Sequence, residues 1–482
     1  MSKQVRVRYA PSPTGHPHIG NIRTALFNWL FARRNNGKFI VRVEDTDQER
    51  LVPGAVDSIL EGLQWLGIDW DEGPQVGGDF GSYYQSERLG HYSDAANTLI
   101  NTGYAYRCYC TRERLSDLRE SQKANKQSIG YDGHCRSLAV SDINELDSSG
   151  ASYVVRFKMP LDGTTSVNDI IRGEVEWQNH LLDDFVLLKS DGFPTYHLAV
   201  VVDDNLMDIS HVLRAEEWLS STPRHLLIYQ ALGFTPPKFG HLPMILGPDK
   251  SKLSKRHGAT SILEYRDEGY LPDALKNFMV LLGWSLDDHS DVIPLETIKN
   301  EFSLDRVGKP ASIFDIERLQ WMNGVYIRDL ADENLADLML PFIVGDTESC
   351  IDRDYLLRVV PLIKERMKTL VESKDITSYF FDSDVGCSKI QIIQKGMDSL
   401  QTSAALENII SAVKKLDPYV SANIEEVLRA ACAESDLKPR EFFGLIRSAV
   451  TGRDATPPLF ELMEVLGKDS TLLRLDKALS LL

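Results

Sequence analysis

The 482-residue sequence has no run of about 18 apolar residues, so it offers no helix long enough to span a bilayer. Its opening, MSKQVRVRYA, lacks the apolar core of a secretory signal. Cysteine is scarce, six in all, which excludes the disulfide framework of a small secreted fold and suits a reducing compartment. Basic residues are outnumbered, 53 against 70 acidic, for a formal charge of −17. That balance argues against a general nucleic-acid binder, because phosphate contacts need Lys and Arg. It leaves room for one basic stripe, since net charge governs steering more than local sites. Also missing are G-x-x-x-x-G-K-[ST] and, after the first strand, G-x-G-x-x-G, so neither a P-loop NTPase nor a dinucleotide oxidoreductase is supported. The expectation is a soluble, cytoplasmic protein with neither membrane nor DNA among its partners.

What is present is ordinary globular composition, 43% hydrophobic and 26% charged, in a chain long enough for about three domains. VRVRYA (Val5–Ala10) alternates apolar and polar residues and predicts a strand. PSPTGHPHIGN (Pro11–Asn21) is a turn, and IRTALFNWLFARR after it puts Ile22, Ala25, Leu26, Trp29 and Leu30 on one helix face. NNG (Asn35–Gly37) stops that helix, and FIVRVEDTD (Phe39–Asp47) predicts a second strand running into an acidic loop. Strand, helix, strand in so short a span is a βαβ unit of a parallel sheet, whose ligands sit at the carboxyl ends of the strands. The turn occupies that place. From about Leu89 to Gly192 the helical stretches, cysteines and polar SDINELDSSG read as an insertion. FVLLKSDGFPTYHLAVVVDD (Phe185–Asp204) predicts a return to strands, followed by a helix in RAEEWLSSTPRHLLIYQAL. GHLPMILGPDKSKLSKRHGA (Gly240–Ala259) is a second loop, and beyond about Pro272 nearly everything reads as amphipathic helix, DYLLRVVPLIKERMKTLVES included.

The first turn delivers the chain to a helix N-terminus, where unpaired N–H groups and the dipole favour an anion. Gly15 and Gly20 allow close approach, Pro11, Pro13 and Pro17 stiffen the loop, and His16 and His18 can donate to phosphate oxygens. Taken alone, the same residues describe a rigid turn with two surface histidines. The second loop places Lys250, Lys252, Lys255 and Arg256 within seven residues. Such cations suit a leaving pyrophosphate, whose charge grows in the transition state, although a solvated basic loop has the same composition.

Together PSPTGHPHIGN and KLSKR resemble the two signatures of class I aminoacyl-tRNA synthetases, commonly H-I-G-H and K-M-S-K-S. Asn21 stands in place of the second histidine, and Leu253 and Arg256 in place of Met and Ser. RYAPSPTG, RTALFNWLFAR, VRVEDTDQER, SDGFPTYHLAVVVDD, LRAEEWLSSTPRH and LQWMNGVYIR, in that order, resemble the bacterial type of glutamyl-tRNA synthetase over essentially the whole chain. The resemblance implies an α/β plus all-α protein with a Rossmann-type parallel-sheet catalytic domain at residues 1–90 and 193–240. A connective insertion at 91–192 would bind the tRNA acceptor end, 241–330 would hold the KLSKR loop and a stem-contact helical domain, and 331–482 a helical anticodon-binding region of two subdomains. The implied reaction joins L-glutamate to tRNA(Glu) through glutamyl-adenylate, using ATP with Mg²⁺ and releasing AMP and pyrophosphate. By the matching motifs, His16, His18, Lys252 and Lys255 are catalytic, and Gly20, Glu217, Ile245, Ser254 and Arg256 contact ATP. Arg8 and Arg214 grip carboxylate, which guanidinium binds bidentately, with Glu44 taking the ammonium and Ser12 and Tyr196 adding hydrogen bonds. Without the resemblance, Arg8 reads as a strand residue facing solvent, Glu44 as a helix cap and Tyr196 as core.

YRCYCT and YDGHCRS bring Cys108, Cys110 and Cys135, three thiols where structural zinc wants four ligands. Some relatives carry C-x-C…C-x-H here, but Ser137 occupies the last position; Tyr131 or His134 could complete a zinc site, and three reduced thiols are the alternative. In VVPLIKERMKTLVESK the basic residues Lys364, Arg366, Lys368 and Lys374 describe either a solvated helix face or an RNA contact. The resemblance puts Arg366 where family members restricted to glutamate tRNA read the last anticodon base, with Arg447 a second anticodon candidate. It therefore implies discrimination against tRNA(Gln). A small-molecule nucleotidyltransferase or a relative that modifies a tRNA base would leave the helical C-terminal half unexplained, and glutaminyl-tRNA synthetase ends in β-barrels. A non-catalytic tRNA scaffold is opposed by the intact Arg8, His18, Glu44, Lys252 and Lys255.

Overall fold

The expected strand–turn–helix–strand opens the chain. Arg6–Tyr9 and Lys38–Val41 pair in parallel, Arg6 opposite Lys38, with the helix Ile19–Arg34 between them in sequence. The helix stops where Asn36 adopts a positive φ of 48° and Gly37 packs on Val5, whose carbonyl leaves no room for a Cβ. His211–Ala215 and Lys238–Leu242 form a second parallel pair. Ser210 joins the pairs: its N–H donates to the Arg6 carbonyl at 2.9 Å and its hydroxyl accepts from the Arg6 N–H at 2.8 Å. This is the Rossmann-type parallel architecture, in a computed structural model describing residues 4–15, 17–254, 261–345, 351–382, 385–386 and 388–482. No helix among them is long and apolar enough to cross a membrane.

Between the two parallel pairs lie the antiparallel strands Ala105–Cys108, Val154–Phe157 and Val186–Leu188, and a hairpin of Thr164–Asp169 with Gly173–Gln178. One expectation fails here. Only Val186–Leu188 of the Phe185–Asp204 run is a strand, and Tyr196–Leu206 is a helix. Its Leu198–Asp204 stretch is buried throughout, and an apolar run buried on every side carries no periodicity to separate helix from strand. A second difference concerns the first helix. Ile22, Ala25, Leu26, Trp29 and Leu30 are buried as expected, but so are Arg23 and Asn28, which donate to the Leu282 and Leu213 carbonyls at 2.7 and 3.1 Å. Polar side chains facing neighbouring main chain let this helix bury more than one face.

The chain separates into two compact units, one of residues 1–265 and 275–316, the other of 266–274 and 317–482. The second unit is helical, with a core of aliphatic side chains that includes Leu356, Val360, Ile409 and Leu445. The basic VVPLIKERMKTLVESK segment is not one helix. It breaks after Ile363 into a short 3-10 turn, Lys364–Arg366, and resumes at Glu372.

The first strand also departs from alternation, since all four of its residues are buried. Arg6 and Arg8 occupy a covered face and are neutralised there. Arg6 makes a two-pronged pair with Glu72 at 2.7 and 2.8 Å, and Tyr83 donates to the same carboxylate. Removing one partner of a buried pair strands the other charge, so Glu72→Ala is expected to lower unfolding free energy by about 3–5 kcal/mol. Urea unfolding measures it, and a loss under ~1 kcal/mol would contradict the neutralising role.

Candidate active site

The turn Pro11–Asn21 ends at His18, which caps the first helix. The His18 ring accepts the Gly20 N–H on Nδ1 at 3.1 Å. That bond leaves the ring proton on Nε2 as a donor. Burial, then the nearby Lys252, pull its pKa below the usual histidine value against the opposing pull of Glu217, which keeps the ring neutral. Glu44 N–H donates to the Pro11 carbonyl at 2.8 Å and Val52 N–H to the Pro13 carbonyl at 3.0 Å, so the turn is pinned to the second strand's exit. Behind it is a cavity of ≈ 100 Å³ bounded by Tyr9, Ser12, Gly15 and Asn21 among others. A Cβ on Gly20 would touch nothing except the His18 ring, so this backbone is open to a ligand.

The second loop comes to the same place. Ile245 accepts from the Leu253 N–H at 3.2 Å and Gly247 donates to the Ser251 carbonyl at 2.8 Å, a tight hairpin with Lys250 at a positive φ of 61°. It presents the exposed Lys252, which is ion-paired with Glu217 beside His18. His18, Lys252, Glu217 and Ile245, widely spaced in sequence, are thereby gathered. His16, Lys255 and Arg256 lie outside the described residues.

Arg214 is the central cation. It is buried at 5% exposure on the strand His211–Ala215. Its Nε donates to His241 Nε2 at 3.0 Å, Nη1 to the Tyr196 hydroxyl at 2.9 Å and to His225 Nδ1 at 3.2 Å, and Nη2 to the Thr222 hydroxyl at 3.0 Å. Every acceptor is neutral. Among the described residues no carboxylate forms an ion pair with it, unlike Arg6, Arg8, Arg42 and Arg88. A buried guanidinium left with net charge is a site for an incoming carboxylate.

Arg8, which the resemblance assigns to carboxylate binding, does not take the solvent-facing place that alternation alone gives it. It is 4% exposed, not solvent-facing, and its Nε and Nη2 are held by Asp204 at 3.1 and 3.3 Å. Arg42 shares Asp204 at 2.8 Å and reaches Glu44 at 3.1 Å, while Arg88, Tyr92 and Gln85 converge on Asp203. Burial raises the Glu44 pKa, with Arg42 and Arg8 pulling the other way. Its second oxygen has no bond to Arg42, which suits an ammonium. Sequence reasoning passed over Arg42, Asp203, Asp204, Asp169, His225 and His241. Asp203 and Asp204 end the apolar run HLAVVV, and nothing local marks an acid there as buried.

Cys108, Cys110 and Cys135 do meet. Their sulfurs lie within 4.8 Å of one another, and His134 is not part of the group. The Tyr131 hydroxyl sits 3.4 Å from the Cys108 sulfur and 3.6 Å from that of Cys110, while Arg156 stacks 3.8 Å over the Tyr131 ring and Arg114 reaches Cys110 at 3.5 Å. The three thiols supply three of the four ligands that a tetrahedral site wants, and the Tyr131 hydroxyl, which accepts the Cys135 N–H at 2.8 Å, lies against them.

In the second unit Arg366 is exposed at the end of the 3-10 turn. Lys364 is tied to Asp332 at 2.7 Å, so the basic residues of this segment do not act as one face. Arg447 is half-buried and donates to Thr456 at 3.0 Å.

The histidines around Arg214 set a pH limit. Burial, then Arg224 and Arg214, lower His197 to about 4, and burial with Arg214 holds His225 well below the ordinary value. Between about pH 6.5 and 4 the unfolded chain binds protons that these folded rings refuse, so stability is lost as pH falls through that window. His197→Gln should flatten the urea-measured slope there by up to about 1.4 kcal/mol per pH unit. An unchanged slope would contradict the assignment.

Comparison with known proteins agrees with this geometry. Residues 4–321 match the family described as tRNA synthetases class I (E and Q), catalytic domain, and residues 334–479 match the anticodon binding domain. The chain is 52% identical to a glutamate–tRNA ligase of Dehalococcoides mccartyi, over 100% of this chain and 98% of the relative. It is 46% identical to the Moorella thermoacetica glutamate–tRNA ligase, over 98% of each. The crystal structure of a glutamate tRNA ligase from Elizabethkingia meningosepticum, in complex with its amino acid, superposes with a TM-score of 0.91 at 34% identity, covering 99% of both chains. Related to these enzymes along its whole length, the chain belongs to the class I glutamyl-tRNA synthetase family.

Proposed function

We propose that this chain is an ATP-dependent glutamate–tRNA ligase acting in two steps, and that Arg214, buried without a carboxylate partner, is the observation that carries its amino-acid choice. The side-chain carboxylate of L-glutamate completes the neutral shell around Arg214 and accepts from Tyr196. Its ammonium meets Glu44, and Ser12 lies on the rim. Arg8, paired with Asp204, adds positive potential from behind. An amide would leave Arg214 without a counter-charge, which disfavours glutamine.

ATP lies across the first turn with its phosphates toward His18 Nε2–H and Lys252, and Mg²⁺ travels with those phosphates. Gly20, Glu217, Ile245 and Ser254 border the nucleotide, and His16, Lys255 and Arg256 fall in the same two loops. The glutamate α-carboxylate oxygen attacks the α-phosphorus and pyrophosphate leaves, its growing charge stabilised by Lys252 and His18. A terminal ribose hydroxyl of the tRNA then attacks the acyl carbon, and AMP leaves. No side chain becomes a covalent nucleophile; the protein works by alignment and charge. The insertion holds the acceptor end, and the C-terminal helices bring Arg366 to the anticodon, with Arg447 a second anticodon candidate.

Charging of purified glutamate and glutamine tRNAs with labelled glutamate tests both levels. The expected outcome is label on tRNA(Glu) alone, with Arg366→Gln lowering the preference for tRNA(Glu) over tRNA(Gln) on the order of tenfold. Label on neither RNA overturns the ligase; equal label on both overturns the role of Arg366.

We also propose that Cys108, Cys110, Cys135 and Tyr131 hold Zn²⁺, which would fix the insertion's first strand against Tyr131. Arg156 and Arg114 offset the anionic ligand set. Elemental analysis should find about one zinc per chain, lost in Cys135→Ser. Metal-free protein with three freely titrating thiols there would contradict the site.

A further inference from the structure

Arg214 can accept a substrate only if its guanidinium plane stays put, and the structure shows what holds it. The Asp169 Oδ1 atom accepts three backbone N–H groups, from Ile171 at 3.0 Å, Arg172 at 2.8 Å and His241 at 3.2 Å. Its Oδ2 atom is 2.6 Å from His241 Nδ1. Asp169 and His241 are 1% and 0% exposed. With Asp169 ionised, the proton of the bond lies on His241 Nδ1, and His241 Nε2 is bare toward Arg214 Nε–H at 3.0 Å. Asp169 ends a hairpin strand of the insertion, and His241 sits on the parallel strand beside Arg214.

We propose that Asp169 is a specificity-positioning residue: by fixing the tautomer of His241 it keeps an acceptor at Arg214 Nε and so orients the guanidinium for the glutamate side-chain carboxylate. This rests on the reading of Arg214 as the glutamate anchor. Neither Asp169 nor His241 touches substrate. Their effect runs through Arg214, in the way a buried carboxylate sets the tautomer of a histidine in other enzymes.

Asp169→Asn is the informative change because its shape is nearly conserved. Three backbone donors retain the amide oxygen at the Oδ1 position, so the NH₂ group must take the Oδ2 position. It then donates to His241 Nδ1, moving the ring proton to Nε2, where it points at Arg214 Nε–H. Two donors face each other, and the guanidinium turns away or loses a bond. In His241→Gln there is no tautomer to flip: a glutamine oxygen can stand near the Nε2 position whichever residue occupies 169.

The experiment is a double-mutant cycle on steady-state aminoacylation by the full chain, with saturating tRNA(Glu), measuring KM for glutamate and for ATP. Arg214→Ala is the control for the underlying reading. Asp169→Asn is expected to raise the glutamate KM on the order of tenfold with the ATP KM unchanged. In the His241→Gln background the same change should alter the glutamate KM by less than about twofold, because the two residues act as one device. If Arg214→Ala leaves the glutamate KM unmoved, the anchor itself is wrong. If Arg214→Ala raises it while Asp169→Asn does not, the positioning role alone is overturned. An equal rise in both backgrounds also overturns it, since Asp169 would then act by another route. Thermal unfolding accompanies each variant. Should Asp169→Asn fail to fold, His241→Phe, which keeps a ring and removes the acceptor, must raise the glutamate KM selectively, and an unchanged value contradicts the proposal.

Discussion

A buried guanidinium that, among the described residues, has no carboxylate ion-paired with it is the constraint around which the glutamate reading of the first unit is built. Arg214 keeps its charge in the interior because four of its five N–H groups find neutral acceptors, so desolvation is largely met without cancelling the charge. The other buried arginines of the neighbourhood are balanced differently. Arg6 has Glu72, Arg88 has Asp203, and Arg8 and Arg42 share Asp204. Arg23 is satisfied by main-chain carbonyls, whereas Arg214 is held by neutral side chains where the parallel strands end. The helix Tyr196–Leu206 serves both groups, supplying Tyr196 to Arg214 and Asp203 and Asp204 to the closed pairs. Its position therefore ties the proposed glutamate site to the packing of the sheet.

The nucleotide side follows a different logic. Gly20 N–H fixes His18 as a neutral donor, and Lys252 is tethered by Glu217 on a short hairpin. In the proposed reaction a neutral imidazole and a tethered ammonium would bind a phosphate chain without drawing the substrate carboxylate away from its arginine. Specificity and chemistry there occupy separate charges, and both rest on strand-to-loop junctions of the parallel sheet.

The first βαβ unit was legible because its helix carries a clear apolar face and its turn has Pro and Gly where the backbone must change direction. Arg214, Glu44, His18 and Lys252 were legible only through ordered motifs, since each alone suits a bland role. The neutral shell was not. His225 and His241 sit within apolar stretches, and Asp169 ends a hairpin far away in sequence; no spacing records that both histidines meet one guanidinium or that Asp169 holds one of them. Buried polar groups escape pattern reading because periodicity reports which face is covered, not what satisfies it. The same ambiguity turned an expected strand into the helix Tyr196–Leu206. In the C-terminal unit the amphipathic periodicity identified helices correctly, yet it ran straight through the break at Lys364–Arg366 that leaves Arg366 at a turn.

The most direct test of the account is a crystal structure of this chain with L-glutamate bound. The account predicts the side-chain carboxylate at hydrogen-bond distance from the Arg214 guanidinium and the Tyr196 hydroxyl, with Asp204 still on Arg8 and the ammonium on Glu44. A carboxylate bound by Arg8 after displacing Asp204, with Arg214 keeping only its neutral partners, would contradict it.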